Sequence, residues 1–109
     1  MRIAVPVKSG VLAGEFRTTR EFLIVEVDPF SGEEIEKTVA FPPSRSTVSL
    51  AEWLYCKGIH VIICCDMAHH TQAELLASGI EVFVGAPQRP ADELVAMFLR
   101  AMPRESVNV

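Results

Sequence analysis

Residues 51–63 read AEWLYCKGIHVII, and residues 73–84 read AELLASGIEVFV. Allowing one gap, the two stretches repeat one phrase: an apolar stripe at helical spacing, a glycine, then a run of apolar and β-branched residues. Each copy spells helix, stop, strand. Two such units in succession make a right-handed β-α-β-α-β path, so the second half of the chain is expected to form a parallel sheet with helices packed on it.

Working outward, residues 46–57 form the first expected helix. Ser49 and Glu52 have capping-box spacing, and Leu50, Trp53 and Leu54 supply its apolar stripe. Gly58 ends it. Residues 59–65, IHVIICC, suit a buried strand covered on both faces. A second helix is expected over 68–78, ending at Gly79, and a strand over 80–85. Pro90 suits the first turn of a last helix reaching about Ala101, with Asp92 and Glu93 beside its positive end. Upstream, residues 2–7, 21–28 and 34–41 read as three strands. Pro6 implies a bulge or an unpaired amide in the first, and Ile35, Lys37, Val39 and Phe41 share a face of the third. The turn formers Asp28-Pro-Phe-Ser-Gly32 join the second strand to the third, and Pro42-Pro43 stops it. The expected architecture is a mixed five-stranded α/β domain over residues 1–102, with a frayed tail over 103–109.

The chain has 109 residues, half of them hydrophobic, enough to bury one core without staples. Its net charge of -4 gives no electrostatic reason to expect a nucleic-acid partner. No segment approaches the roughly 20 apolar residues of a membrane span, and the apolar run at the start is too brief for a signal peptide. Three cysteines, at 56, 64 and 65, make a poor disulfide framework and fit reduced thiols in the cytoplasm.

Residues 64–70 read CCDMAHH, the densest group of metal-ligating side chains in the sequence. They fall at the carboxyl end of a central parallel strand, just before a helix, where open α/β sheets place their ligands. Adjacent strand residues point to opposite faces, so at most one of Cys64 and Cys65 faces the crevice without a bulge. A thiol near a helix start is pushed toward thiolate. Asp66, His69 and His70 have spacings that bring side chains onto neighbouring faces, so one histidine can join Cys65 or Asp66 around a metal. The spacing matches no standard zinc pattern. The alternative makes Cys64 and Cys65 small core residues, Asp66 a helix cap, and the histidines a solvated helix start.

Other groups carry less. Cys56 reads as a packed thiol at the end of its helix. The apolar stripes with Trp53, Leu54, Leu75, Leu76, Met97 and Phe98 read as core, and Glu33, Glu34 and Glu36 as a solvated hairpin edge. Ser44, Ser46 or Ser49 with His60, His69 or His70 supply the residue types for serine hydrolysis, but no G-x-S-x-G elbow specifies it. The glycines of GVLAG, residues 10–14, lack the following Gly-Lys-Ser/Thr of a phosphate loop.

The opening MRIAVPV, the phrase FRTTREFLIVEVD over 16–28, the segment AEWLYCKGIHVIICC and the stretch AELLASGIEVFVGA before a final helix together resemble the dinitrogenase iron-molybdenum cofactor biosynthesis family, the nitrogenase accessory factors. The resemblance runs from Met1 to about Leu99. It implies a three-layer α/β/α ribonuclease-H-like fold with a mixed five-stranded sheet, no intrinsic enzymatic activity, and an iron-sulfur or iron-molybdenum-type cluster passed between cofactor-assembly and acceptor proteins. It leaves a homodimer open. The family commonly carries His-Phe-Gly-Arg in its first loop; this chain has Glu15-Phe16-Arg17. Where the family shows a Gly-Gly-x-Gly-like turn, this chain has Cys64-Cys65-Asp66-Met67.

Two readings follow. In the first, the site is rebuilt: Cys64, Cys65, Asp66 and Glu15 surround the cofactor, and Cys65, His69 and His70 ligate its metal. Thiolate and imidazole suit iron, copper or zinc. In the second, the chain is a non-catalytic interaction or regulatory domain that has lost cofactor binding. A thiol enzyme using Cys65 with His69 as base is a third.

Overall fold

The computed structural model describes residues 1–43 and 49–101. The expected tail over 103–109, the first residues of the helix expected from Ser46, and the candidate nucleophiles Ser44 and Ser46 lie outside the described residues.

In chain order the elements are β1 (Arg2–Lys8), β2 (Val11–Leu12), β3 (Phe22–Val27), β4 (Glu34–Ala40), α1 (Leu50–Cys56), β5 (Val61–Ile63), α2 (His69–Ala77), β6 (Glu81–Phe83) and α3 (Ala91–Ala101). The sheet runs β4-β3-β1-β5-β6, with β2 hydrogen-bonded to the end of β1. β1 is antiparallel to β3 and parallel to β5, and β5 is parallel to β6. The repeated phrase thus yields the parallel half it spelled, and the five expected strands form the main sheet. The two-residue β2 is an addition. It follows a tight turn at Ser9 and Gly10, both at positive φ, and pairs Val7 with Leu12.

The β1–β3 register runs unbroken from Arg2 opposite Glu26 to Pro6 opposite Phe22, so of the two expectations at Pro6, a bulge or an unpaired amide, the bulge does not occur. The irregularity in this half falls between Glu26 and Val27, in the β3–β4 pairing.

Each face of the sheet has its own core. One gathers Ala4, Phe22, Ile24, Ile62 and Cys64 under Leu54 of α1 and Leu75 of α2. The other gathers Ile3, Val5, Val25, Val61 and Ile63 under Ala91, Leu94 and Val95 of α3. The alternation along each strand produces this split, because successive side chains point to opposite faces. The result is three layers, α/β/α. Ser49 caps α1 as its spacing predicts, its Oγ accepting from the Glu52 amide at 3.1 Å. Gly58 and Gly79 sit at φ of 74° and 83° after α1 and α2, a backbone conformation that favours glycine at helix ends.

Several residues expected in the core are not there. Leu76 and Met97 are exposed, and Cys56 is an exposed free thiol rather than a packed one. β4 is an edge strand: Ile35, Val39 and the following Phe41 are all exposed. Lys37 of β4 reaches Asp92 of α3 at 2.7 Å and Glu34 at 3.5 Å. Among the described residues no helix is long and apolar enough to cross a membrane.

Candidate functional site

Two segments meet at the carboxyl ends of the parallel neighbours β1 and β5. The first is the loop from Ala13 to Glu21. Its buried Phe16 packs edge-on against Phe22, ring centroids 5.8 Å apart, and pins the loop to the core under α1 and α2. Thr19 is buried, and its hydroxyl donates to the Glu15 carbonyl at 2.6 Å. The exposed Glu15 carboxylate accepts from the Thr18 hydroxyl at 3.3 Å. The loop is therefore closed on itself around Glu15, with that carboxylate turned outward.

The second segment is the turn after β5. The Cys64 amide donates to the Phe83 carbonyl at 2.9 Å, and the carbonyls of Cys65 and Cys64 accept from Gly85 and Ala86 at 2.8 and 3.2 Å. Both cysteines thus continue the sheet edge, and their side chains part as alternation requires. Cys64 is 1 % exposed in the core beneath α1 and α2; Cys65 packs partly buried against the core beneath α3. Burial pushes the Cys64 thiol up to about 11, with the nearby Cys65 and Asp66 adding to the effect. It is a protonated core residue at neutral pH.

Asp66 is exposed and does not cap α2. Its Oδ1 accepts from the adjacent Met67 amide at 2.9 Å, while the cap position belongs to Ala68, whose side chain makes no capping bond. The reason is Met67, which is buried in the core beneath α1 and α2 and delays the helix. Gln72 then braces the turn, its Nε2 donating to the Met67 carbonyl at 2.9 Å. His69 and His70 occupy the first turn of α2, both exposed.

The two segments enclose a cavity of about 150 Å³, with Glu15 and Arg17 on one wall and Asp66 and His70 on the other. Three sequence-predicted residues, Glu15, Asp66 and His70, are thereby brought to one crevice across about fifty positions of chain. Cys64, Cys65 and His69 do not line it. Among the described residues no three His, Cys, Asp or Glu side chains are grouped to hold a metal ion. The crevice offers two carboxylates and an imidazole on opposing walls, a donor set of oxygen and nitrogen rather than sulfur. Such a set can give a metal-containing ligand one or two bonds.

The hydrolase alternative loses a member, since His60 is held at the opposite end of β5. Its Nδ1 accepts from the Arg2 amide at 3.0 Å. Arg17 and Thr71 also line the crevice and were not singled out by the sequence. The only signal was the pair of arginines bracketing Thr18-Thr19 in an acidic chain.

A family model described as dinitrogenase iron-molybdenum cofactor matches residues 1–101. No curated protein matches the chain. Among solved structures, the crystal structure of PH0822 superposes with a TM-score of 0.82 at 16% identity, covering 92% of this chain and 89% of that one. A crystal structure from Methanocaldococcus jannaschii, provisionally described as a dinitrogenase, gives 0.73 at 19% identity, covering 92% and 88%. An NMR structure of a Thermotoga protein, provisionally described as a NifB protein, gives 0.67 at 19% identity, also covering 92% and 88%. At these identities the likeness is one of fold.

Proposed function

We propose that this chain, which belongs to the dinitrogenase iron-molybdenum cofactor family, is an accessory protein that carries a metal or iron-sulfur cluster of the iron-molybdenum type as cargo. The cargo docks between the Glu15 loop and the Asp66–His70 turn. The observation that carries this reading is the meeting of Glu15, Asp66 and His70 around one cavity at the carboxyl ends of two adjacent parallel strands. Sheets of this kind use that position for ligands.

The donor set favours transfer over retention. Cys64 is withdrawn into the core as a neutral thiol, so no strong thiolate ligand competes from there with an acceptor protein. His70 is the terminal donor of choice, and Asp66 and Glu15 can take a second metal bond or accept hydrogen bonds from the cargo. Handing the cargo on is then a ligand exchange in which an acceptor's ligands displace an imidazole and a carboxylate. The three cysteines are free, which fits work in the reducing cytoplasm beside cofactor-assembly proteins.

Anaerobic reconstitution with iron and sulfide, followed by absorption spectroscopy and metal analysis, tests the reading. Wild type is expected to load, His70→Ala to lose most of the cluster absorption, and Cys65→Ser to keep it. Loss in Cys65→Ser with retention in His70→Ala moves the ligation to the other face of the sheet. No loading in wild type leaves the second reading, an interaction or regulatory domain without cargo. That reading is favoured by one observation: no three ligating side chains are grouped among the described residues.

A further inference from the structure

We propose that the cavity between the first loop and the start of α1 is a binding site for a small, multiply charged oxyanion. The cavity measures about 310 Å³ and is lined by Arg17, Thr18, Arg20, Ser49 and Trp53, closed on one side by Pro42-Pro43. It is separate from the cargo crevice, which it adjoins through Arg17. Nothing in the inference depends on the cargo reading.

Charge is the first argument. The chain carries 14 acidic and 10 basic residues, yet among the described residues the only charged side chains lining this cavity are two arginines. Three other cations have carboxylate partners: Arg2 lies 3.4 Å from Glu26, Lys37 lies 2.7 Å from Asp92, and Arg89 lies 3.9 Å from Glu93. Among the described residues Arg17 and Arg20 have no hydrogen-bond or ion-pair partner. Two unmatched guanidinium groups at one cavity make a local positive field in an otherwise negative molecule, and that field draws anions.

Fixed geometry is the second. Arg17 and Arg20 flank Thr18-Thr19, and Thr19 is buried with its hydroxyl on the Glu15 carbonyl at 2.6 Å, so the backbone carrying both arginines is anchored between them. The far wall is equally set. Trp53 packs against Phe22 at 5.6 Å, and the Lys57 ammonium lies 5.7 Å from its ring centroid. A site whose backbone is already ordered loses less entropy on binding.

Chemistry then selects the ligand class. Guanidinium forks match phosphate and carboxylate oxygens two bonds at a time. The Ser49 oxygen accepts from the Glu52 amide, which leaves its hydrogen free to donate into the cavity. The rest of the described lining is Thr18 and Thr19, whose hydroxyls are engaged at Glu15, together with Leu50, Trp53 and the two prolines. The volume is at the small end of the range typical of ligand sites, roughly 300–1,000 Å³. A phosphate, a diphosphate or a small polycarboxylate fits both volume and charge.

Trp53 is the sole tryptophan, so its fluorescence reports directly on the site. Titration with phosphate, pyrophosphate and citrate at constant ionic strength, with chloride as the reference anion, tests the proposal, and calorimetry supplies the affinities. At least one of the three is expected to bind saturably, with affinity falling about tenfold or more in both Arg17→Ala and Arg20→Ala, and unchanged in Arg89→Ala. Tighter pyrophosphate or phosphate binding identifies a phosphorylated ligand; tighter citrate binding identifies a polycarboxylate. No saturable response to any of them, a response equal to that of chloride, or affinities undiminished in both arginine variants would overturn the proposal. Both arginines are exposed, and circular dichroism of each variant confirms that it folds.

Discussion

Cys64 and Cys65 are neighbours in the chain but belong to different cores: Cys64 is part of the core that holds Leu54 and Leu75, and Cys65 packs against the one that holds Val61 and Leu94. A sheet one residue thick lies between their side chains. A motif that looks like a chelate in one dimension is therefore two independent thiols with different chemistry.

Cys64 should titrate late and visibly. Its thiol is raised from 9.0 to about 11 in the folded protein. The folded state therefore holds its proton more tightly than the unfolded chain. The stability this contributes is fully present below about pH 9 and is lost as pH rises toward 11. Denaturant unfolding at pH 8, 9.5 and 11 should show an alkaline loss that is smaller in Cys64→Ala by up to about 2 kcal/mol. Equal pH dependence in the two proteins would contradict the burial of this thiol.

Alkylation separates the three cysteines. Iodoacetamide at neutral pH should label the exposed Cys56 first, the half-buried Cys65 more slowly, and Cys64 only on unfolding. Peptide mapping by mass spectrometry reads the order. A Cys64 that reacts as fast as Cys56 would show the strand end to be open.

Leu75 has no exposed surface and closes the core beneath α2. Leu75→Ala should cost about 2–5 kcal/mol, measured by urea unfolding, because the cavity left behind is walled by the sheet and α1 and cannot collapse. Leu76→Ala, one position along on the exposed face, should cost less than about 1 kcal/mol.

Ser49→Ala removes the acceptor for the Glu52 amide and should destabilise the protein by about 1 kcal/mol, while Ser49→Asp should retain most of the capping. The double replacement His69→Ala, His70→Ala touches two exposed side chains with no side-chain partner among the described residues, so stability should stay within about 0.5 kcal/mol. A larger loss would mean that the histidines hold the start of α2.

Much of the fold was legible because local signals agreed with tertiary need. The repeated helix-glycine-strand phrase, the Ser49 cap and the glycines at 58 and 79 each act within a few residues, and the structure keeps them all. The stretch IHVIICC was read as seven strand residues but contributes three to β5, since apolarity marks burial and not pairing. Asp66 looked like a cap because spacing alone cannot show that Met67 must be buried before α2 can start. Of the candidate residues, Asp66, His70 and Glu15 line one crevice, while Cys64, Cys65 and His69 do not. Arg17 was not a candidate, because its place opposite His70 depends on how a loop some fifty residues away is pinned by Phe16. No periodicity encodes such a meeting.

The edge formed by β4 has its own consequence. Ile35, Val39 and Phe41 present an apolar row beside backbone groups that no described strand pairs, the kind of template to which an identical strand from another molecule can add. Glu34, Glu36 and Lys37 stand in the same seven residues, and antiparallel addition of a second copy centred on Lys37 would crowd the Lys37–Asp92 and Lys37–Glu34 ion pairs of both copies together. The sheet is thus terminated by charge rather than by cover. Strand addition at this edge should accordingly respond to pH and salt as much as to packing.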